Sequence, residues 1–361
     1  MELQNFINDN PNYKDCFLRE GFKVNKYHDL IIVKYPREYD SFNQNWKYYC
    51  RGCVIDTNNH KVVCIPPVKS RDINYDELSN KDVIVENLID GTMINIFNHN
   101  GEWIMATRGE IGCNNKWKSK RSFKQLFYEC SPEFQMNDLN ENYSYSFVLN
   151  HISNRNVSQV YQNTIILVSV YDRNTFESLP LTNFVNPHYD IVYPYDIDST
   201  VPLSFFIDSM KEQSMDHNWK GLTFKVKDGS NYIRYNLKNP KFEEAETISV
   251  NSRNKLYIYL KALRNKNIQK HLSIYPEDKY EFDKYYKQLI RLKNDIYKEY
   301  VNVHILKTKE KNRVIAKELF NIHGSYLQDK QRITFQKVST YVDNLSIGRV
   351  MYLIRYFISG S

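Results

Sequence analysis

The chain has 361 residues, 42% of them hydrophobic, which is enough for two ordinary domains with packed cores. No run of 18 apolar residues occurs, so a membrane span and a membrane partner are not expected. The net charge of +7 is uneven: residues 251–361 hold 22 Lys and Arg against 10 Asp and Glu (net +12), residues 1–250 hold 27 against 32 (net −5).

A basic C-terminal third points to a polyanionic partner, RNA above all, with a solvated lysine-rich helical surface as the plain alternative. Met1–Phe6 has neither a basic start nor an apolar stretch, so no secretory signal is expected. Six cysteines without framework spacing fit a reducing interior, and the expected location is the cytoplasm. Richness in Tyr (29), Asn, Lys and Ile with only 11 glycines and 11 prolines suggests an AT-rich genome, such as that of a virus or protist.

In chain order, residues 1–20 predict an amphipathic helix and loop. Strands follow at Leu30–Tyr35, Gly52–Asp56 and Lys61–Ile65, the last two joined by a turn at Thr57–His60. Further strands are expected at Val83–Glu86, Thr92–Asn98 and Trp103–Thr107, and a helix over 116–130 carries Trp117, Phe123, Leu126 and Phe127 on one face. Tyr143–Leu149 and Thr164–Tyr171 read as strands, the latter fully buried, and Leu203–Met210 as a helix. Leu222–Lys227 and Asn231–Asn236 flank Asp228-Gly229-Ser230, a hairpin signal. Past Pro240–Val250 the apolar spacing becomes helical (Leu256, Tyr259, Leu260, Leu263; Tyr285, Leu289, Leu292, Ile296), predicting four to six helices and no sheet. The expected layout is an α+β domain at 1–245 with antiparallel sheets, then a basic all-α domain at 246–361.

Several short segments stand in a telling order: Arg51-Gly52 in an early strand, Arg71-Asp72-Ile73-Asn74-Tyr75-Asp76-Glu77, Leu88-Ile89-Asp90-Gly91, Thr107-Arg108-Gly109, Phe147-Val148-Leu149 with Asn154-Arg155, Lys220-Gly221-Leu222-Thr223, and Asn236-Leu237-Lys238-Asn239-Pro240. Together they resemble the motif series of the phage-type RNA ligase 1 family, within the covalent nucleotidyltransferases (RNA/DNA ligase-like). The resemblance covers roughly residues 30–245. It implies a nucleotidyltransferase domain in which a lysine in the pattern Lys-x-Asp-Gly attacks the α-phosphate of ATP, with Mg2+ and basic side chains neutralising the phosphate charge.

The departures fall on the working positions. Leu88 stands where the nucleophile belongs, Val148 and Lys220 where the family has glutamates, and Asn236 in the closing lysine pair; in another register that pair is Arg234 and Asn236. Leucine cannot attack a phosphate, and Lys220 reverses a charge that would favour a metal. The expectation is therefore a catalytically inactive protein with no cofactor, ATP and Mg2+ applying only if a ligase with another nucleophile survives. Lys81 and Lys220 are the candidates for such a nucleophile. The implied nucleotide- or phosphate-binding candidates are Arg51, Arg71, Asp90, Arg108, Arg155, Lys225 and Lys238, the basic ones and Lys220 as anion contacts.

Arg253, Lys255, Lys261, Arg264, Lys266, Lys270, Lys307, Lys309, Lys311 and Arg313 are the RNA-binding candidates of the helical part. Cys50 and Cys53, with Cys64 and His60, are spaced for a zinc site, but small strand residues around Arg51-Gly52 are the reading adopted, so no metal is expected. The expected function is an RNA-binding or mRNA 5′-end-binding scaffold or subunit, with other protein subunits, in a viral RNA-processing or translation complex. The alternatives are an active ATP-dependent RNA ligase and a protein-interaction module without RNA binding.

Overall fold

The structure, a computed structural model, describes residues 1–36, 42–73, 78, 82–198, 200–213, 216–308, 313–329 and 332–359. They divide into two compact units, Met1–Glu246 and Thr247–Ser361.

The first unit begins with two helices, α1 (Glu2–Asp9) and α2 (Tyr13–Arg19), where one helix and a loop were expected. Leu3 and Ile7, one turn apart, bury the inner face of α1. Next come strands β1 (Lys23–Tyr27), β2 (Leu30–Lys34), β3 (Arg51–Asp56), β4 (Lys61–Cys64), β5 (Arg71–Asp72), β6 (Val83–Asn87), β7 (Thr92–His99) and β8 (Glu102–Ala106). Helix α3 (Phe123–Cys130) precedes β9 (Tyr143–Asn150), β10 (Thr164–Asp172), β11 (Ser178–Leu179) and β12 (Asp190–Ile191). Helix α4 (Leu203–Gln213), β13 (Gly221–Asp228), β14 (Asn231–Lys238) and α5 (Pro240–Ile248) follow.

Three sheets result, in the orders β1-β2-β3-β4, β11-β10-β9-β7-β8 with β12 beside β10, and β5-β14-β13-β6. Pairing is antiparallel except for β5 against β14 and β12 against β10. The architecture is thus α+β with antiparallel sheets, followed by helices. The helix expected over 116–130 starts only at Phe123, because a capping box closes its end: the Ser122 hydroxyl accepts from the Gln125 N–H (3.2 Å), and the Gln125 side chain accepts from the Ser122 N–H (2.8 Å). β10 alternates buried and half-buried residues where full burial was expected.

The third sheet has two unlike faces, set by the period-two alternation of its strands. Val85, Leu222, Phe224, Val226 and Tyr235 form a core with Leu78 and Ile207. On the opposite face, cross-strand partners form rows: Glu86, Thr223 and Asn236 in one, Ile84, Lys225 and Arg234 in the next. This polar face carries much of the candidate site.

The second unit contains helices α6 (Lys255–Arg264), α7 (Ile268–Ile274), α8 (Lys279–Tyr300), α9 (Ala316–Asp329), α10 (Phe335–Asn344) and α11 (Ile347–Ser359), and no strand among the described residues. Leu256, Tyr259, Leu260, Leu289, Leu292 and Ile296 meet Leu319, Val338, Val342 and Leu353 in its core. No helix among the described residues is long and apolar enough to cross a membrane.

Candidate functional site

β6 ends at Asn87, and the next residue, Leu88, donates its N–H to the Gly221 carbonyl at 2.9 Å. The bend that follows aims Asp90 inward. One Asp90 oxygen accepts the N–H groups of Val157 (2.9 Å) and Ser158 (3.1 Å), while the other faces the Lys220 ammonium at 3.4 Å. Lys220 also donates to the Ile89 carbonyl at 3.4 Å. Gly91 adopts φ +148°, and a Cβ there would lie 2.5 Å from Val148 Cγ1 and 2.7 Å from the Leu149 carbonyl oxygen, so only glycine fits. Val148, 5% exposed, sits in mid-sheet between Met93 and Ile166, packed beneath that bend.

Around this bend the structure gathers cations. Lys225 pairs with Glu86 at 2.6 Å on the polar face of the third sheet. Burial lowers the pKa of Lys220; Asp90 opposes the shift, while Arg108 and Arg51 add to it. Burial likewise lowers the pKa of Lys225, with Glu86 opposing and Arg234 adding. Arg234 is shifted down by its own burial and by Arg51, and among the described residues its buried Nε has no hydrogen-bond partner. Gly52, at φ +101°, lets the Arg108 backbone approach so closely that a Cβ at 52 would lie 2.7 Å from Arg108 Cα. Among the described residues, the cluster brings Arg51, Arg108, Lys220, Lys225 and Arg234 near the carboxylates of Glu86 and Asp90. Such a surplus of positive charge in a half-buried site favours an anion with several oxygens.

The remaining expected residues distribute unevenly. Arg155 is 8% exposed and donates to the carbonyls of Val157 (2.9 Å) and Ser158 (3.1 Å), so it and Asp90 grip the same loop backbone from its two sides. These bonds give Arg155 a structural task. Lys238 pairs with Glu246 at 2.9 Å on the surface. Asn236 accepts a hydrogen bond from Thr223 at 3.0 Å. Of the two registers for the closing pair, it is Arg234 that shares the field of Arg51 and Glu86. Arg71 lies over the Tyr48 ring at 5.0 Å and lines a small groove with Arg234, Tyr49 and Lys69. Asn74–Glu77 and Lys81 lie outside the described residues. Glu86 belonged to no motif; its only trace in the sequence is a carboxylate out of phase with Val83 and Val85 in a strand.

Cys50, Cys53 and Cys64 are buried, and burial pushes the Cys64 thiol up to about 12 and Cys50 well above its ordinary value, which keeps both protonated. His60 instead meets the Tyr13 hydroxyl at 3.2 Å. Among the described residues, Asp29, Asp56 and His99 place ligand atoms within 4.8 Å of one another. They already satisfy themselves: His99 bonds Asp29 at 2.9 Å, and Asp56 accepts from Asn58 and Asn59.

In the helical unit, Lys261, Arg264, Lys266 and Lys270 are exposed at the end of α6 and along α7. Arg264 donates to the Leu345 carbonyl. Lys255 is ion-paired with Asp278, which His271 also bonds at 2.8 Å. Arg253, Lys307 and Arg313 are exposed, whereas Lys309 and Lys311 lie outside the described residues.

No family model and no curated protein matches the chain. Among solved structures it is similar to a putative ATP-dependent DNA ligase from Aquifex aeolicus, with 12% identity over 89% of this chain and 81% of that one and a TM-score of 0.47. It is also similar to an archaeal ATP-dependent RNA ligase, with 13% identity over 97% and 96% of the two chains and a TM-score of 0.44. A Naegleria gruberi RNA ligase with PPi matches at 13% identity over 48% and 54%, with a TM-score of 0.36. Likenesses this distant describe a general resemblance of shape.

Proposed function

We propose that this chain is a nucleic-acid-binding protein related to ligase-type nucleotidyltransferases but working without their covalent chemistry. It would bind RNA, or an mRNA 5′ end, as a subunit or scaffold of a viral RNA-processing or translation complex. The observation that carries this reading is Leu88: an apolar side chain occupies the nucleophile position of the motif while Arg51, Arg108, Lys220 and Arg234 surround the bend beside it. A site that keeps phosphate-favouring charge and lacks the attacking amine suits holding a phosphorylated end. The +12 balance of residues 251–361 supports an RNA backbone as the larger ligand.

A second reading rests on Lys220. Its ammonium stands 3.4 Å from Asp90, within the motif's own bend, and burial makes it easier to deprotonate. In that reading the free amine attacks the α-phosphorus of ATP, a nitrogen–phosphorus bond forms, the bond to the β-phosphate oxygen breaks, and pyrophosphate leaves while the amine releases its proton to solvent. ATP and a divalent ion belong to this reading alone.

Intact-protein mass after incubation with ATP or GTP and Mg2+ or Mn2+ separates the two. No adduct on folded protein is the expected result. An adduct that vanishes in Lys220→Met would establish the second reading. Absence of any salt-dependent binding to RNA would leave a protein-interaction module instead.

A further inference from the structure

The helical unit contains a cleft of about 390 Å³ among α6, α8, α10 and α11. Leu260, Leu263, Leu289, Ile290, Val342 and Val350 form most of its wall. Its volume is at the low end of the roughly 300–1,000 Å³ typical of small-ligand pockets, room for one planar ring system and a sugar.

Tyr259 also lines the cleft. This residue is 2% exposed, and among the described residues its hydroxyl has no hydrogen-bond partner. Its ring is held by Phe282, edge-on at 5.3 Å, and by Tyr285 at 6.0 Å, so the hydroxyl is fixed in place. A buried hydroxyl left without a partner is destabilising, and structures seldom keep one idle. At the rim, Tyr286 is 57% exposed, Arg264 adds positive charge, and Lys293 pairs with Asp343 at 2.8 Å. Lys261 and Lys266, both exposed, lie on the same helix and just past its end.

From this arrangement we infer that the cleft receives an unstacked nucleobase of a bound RNA strand, the Tyr259 hydroxyl donating to an acceptor on the base edge and the Arg264 side of the rim meeting the adjoining phosphates. The inference rests on the RNA-binding reading above and deepens it. An aliphatic slot with one buried donor suits a heteroaromatic ring that has a flat apolar face and a polar edge. The choice of RNA over an aromatic side chain from a protein follows from charge: the surrounding sequence is strongly basic, and a base enters together with an anionic backbone.

The experiment uses the full chain and a single-stranded RNA carrying 2-aminopurine at one position in turn. Expected is a fluorescence change at one position. Tyr259→Phe should weaken binding several-fold, and Leu263→Trp, which fills the cleft, at least tenfold, both with the salt slope unchanged because phosphate contacts persist. Melting curves establish that the variants fold, and Tyr259→Phe, a deletion of one oxygen, provides a readout should Leu263→Trp fail to fold. RNA binding of unchanged affinity in both variants would overturn the cleft's role while leaving RNA binding intact. Loss of a co-purifying protein subunit in Leu263→Trp, with RNA affinity unchanged, would reassign the cleft to that protein and equally overturn it. No RNA binding by the unaltered chain would instead show that the underlying reading fails.

Discussion

Lys220 and Asp90 face each other across 3.4 Å, and the same carboxylate holds the backbone N–H groups of Val157 and Ser158 with its other oxygen. Asp90 is therefore a joint between three segments far apart in sequence. Replacing it with alanine leaves Lys220 half-buried without its counter-charge and two N–H groups without an acceptor. The expected loss is about 3 kcal/mol, measured by denaturant unfolding. Asp90→Asn, whose amide oxygen can still accept from the loop, should lose less. Equal midpoints for wild type and Asp90→Ala would show that the carboxylate does not hold the loop.

Gly91 makes a second, sharper prediction. Gly91→Ala should lower stability by at least about 2 kcal/mol, since its Cβ meets both a side chain and a carbonyl oxygen at a φ that L-residues avoid. Adding Val148→Ala removes one clash and leaves those with the Leu149 carbonyl and Asn150 Oδ1, so the double variant should recover only part of the loss. Complete recovery in thermal melts would place the strain in Val148 alone.

The helical unit should be sensitive to acid through Asp278. Burial pushes its carboxyl upward, but hydrogen bonds from His271 and Lys255 outweigh that and hold its pKa below the ordinary 3.8. A carboxylate whose pKa is depressed on folding contributes stability that is fully present above the unfolded value and disappears as pH falls through the folded one. Wild type should therefore lose stability below about pH 4 more steeply than Asp278→Asn, which is already weaker at neutral pH by about 1–3 kcal/mol. Parallel pH profiles for the two proteins would contradict the assignment.

RNA affinity should depend on the exposed cations near the end of α6. Charge reversal of Lys261, Arg264 and Lys266 together is expected to weaken single-stranded RNA binding and reduce the log–log salt slope by about 2, from roughly 0.7 for each lost phosphate contact. Filter binding or fluorescence anisotropy over a salt series measures both quantities. An unchanged slope would move the RNA path elsewhere.

Placing a lysine at Leu88 tests how much of the chemistry that the resemblance implies the surroundings could support. Leu88→Lys is expected to form no nucleotide adduct with ATP and Mn2+ by intact mass, because Val148 and Lys220 still stand where the resemblance places glutamates. A robust adduct would show that the remaining site suffices.

Much of the fold could be read from the residues because its signals are local. The alternation on either side of Asp228-Gly229-Ser230 becomes β13 and β14, and Leu256, Tyr259 and Leu260 bury as their helical spacing foretold. β1 escaped because Lys23, Asn25 and Lys26 leave no apolar alternation to see. At the site, Leu88-Ile89-Asp90-Gly91 stood out, but the use made of Asp90 did not: its loop partner Val157 lies 67 residues on, and no pattern in either segment announces the other. Arg155 and Lys238 read as anion contacts by motif; in the fold Arg155 donates to backbone carbonyls and Lys238 pairs with Glu246, neither of which the motif showed. Short-range regularities specify elements; which cation meets which oxygen is decided by how distant segments are folded together.

The Lys220–Asp90 pair also bears on how this sequence can change. A glutamate at position 220 would bring a second negative charge against Asp90 in a site with little water to screen it, while removing one of the cations that balance the bend. Each single step toward an acidic site is therefore penalised in stability before any later step could reward it. As long as Asp90 stands beside it, position 220 is therefore bound to a positive charge by its surroundings.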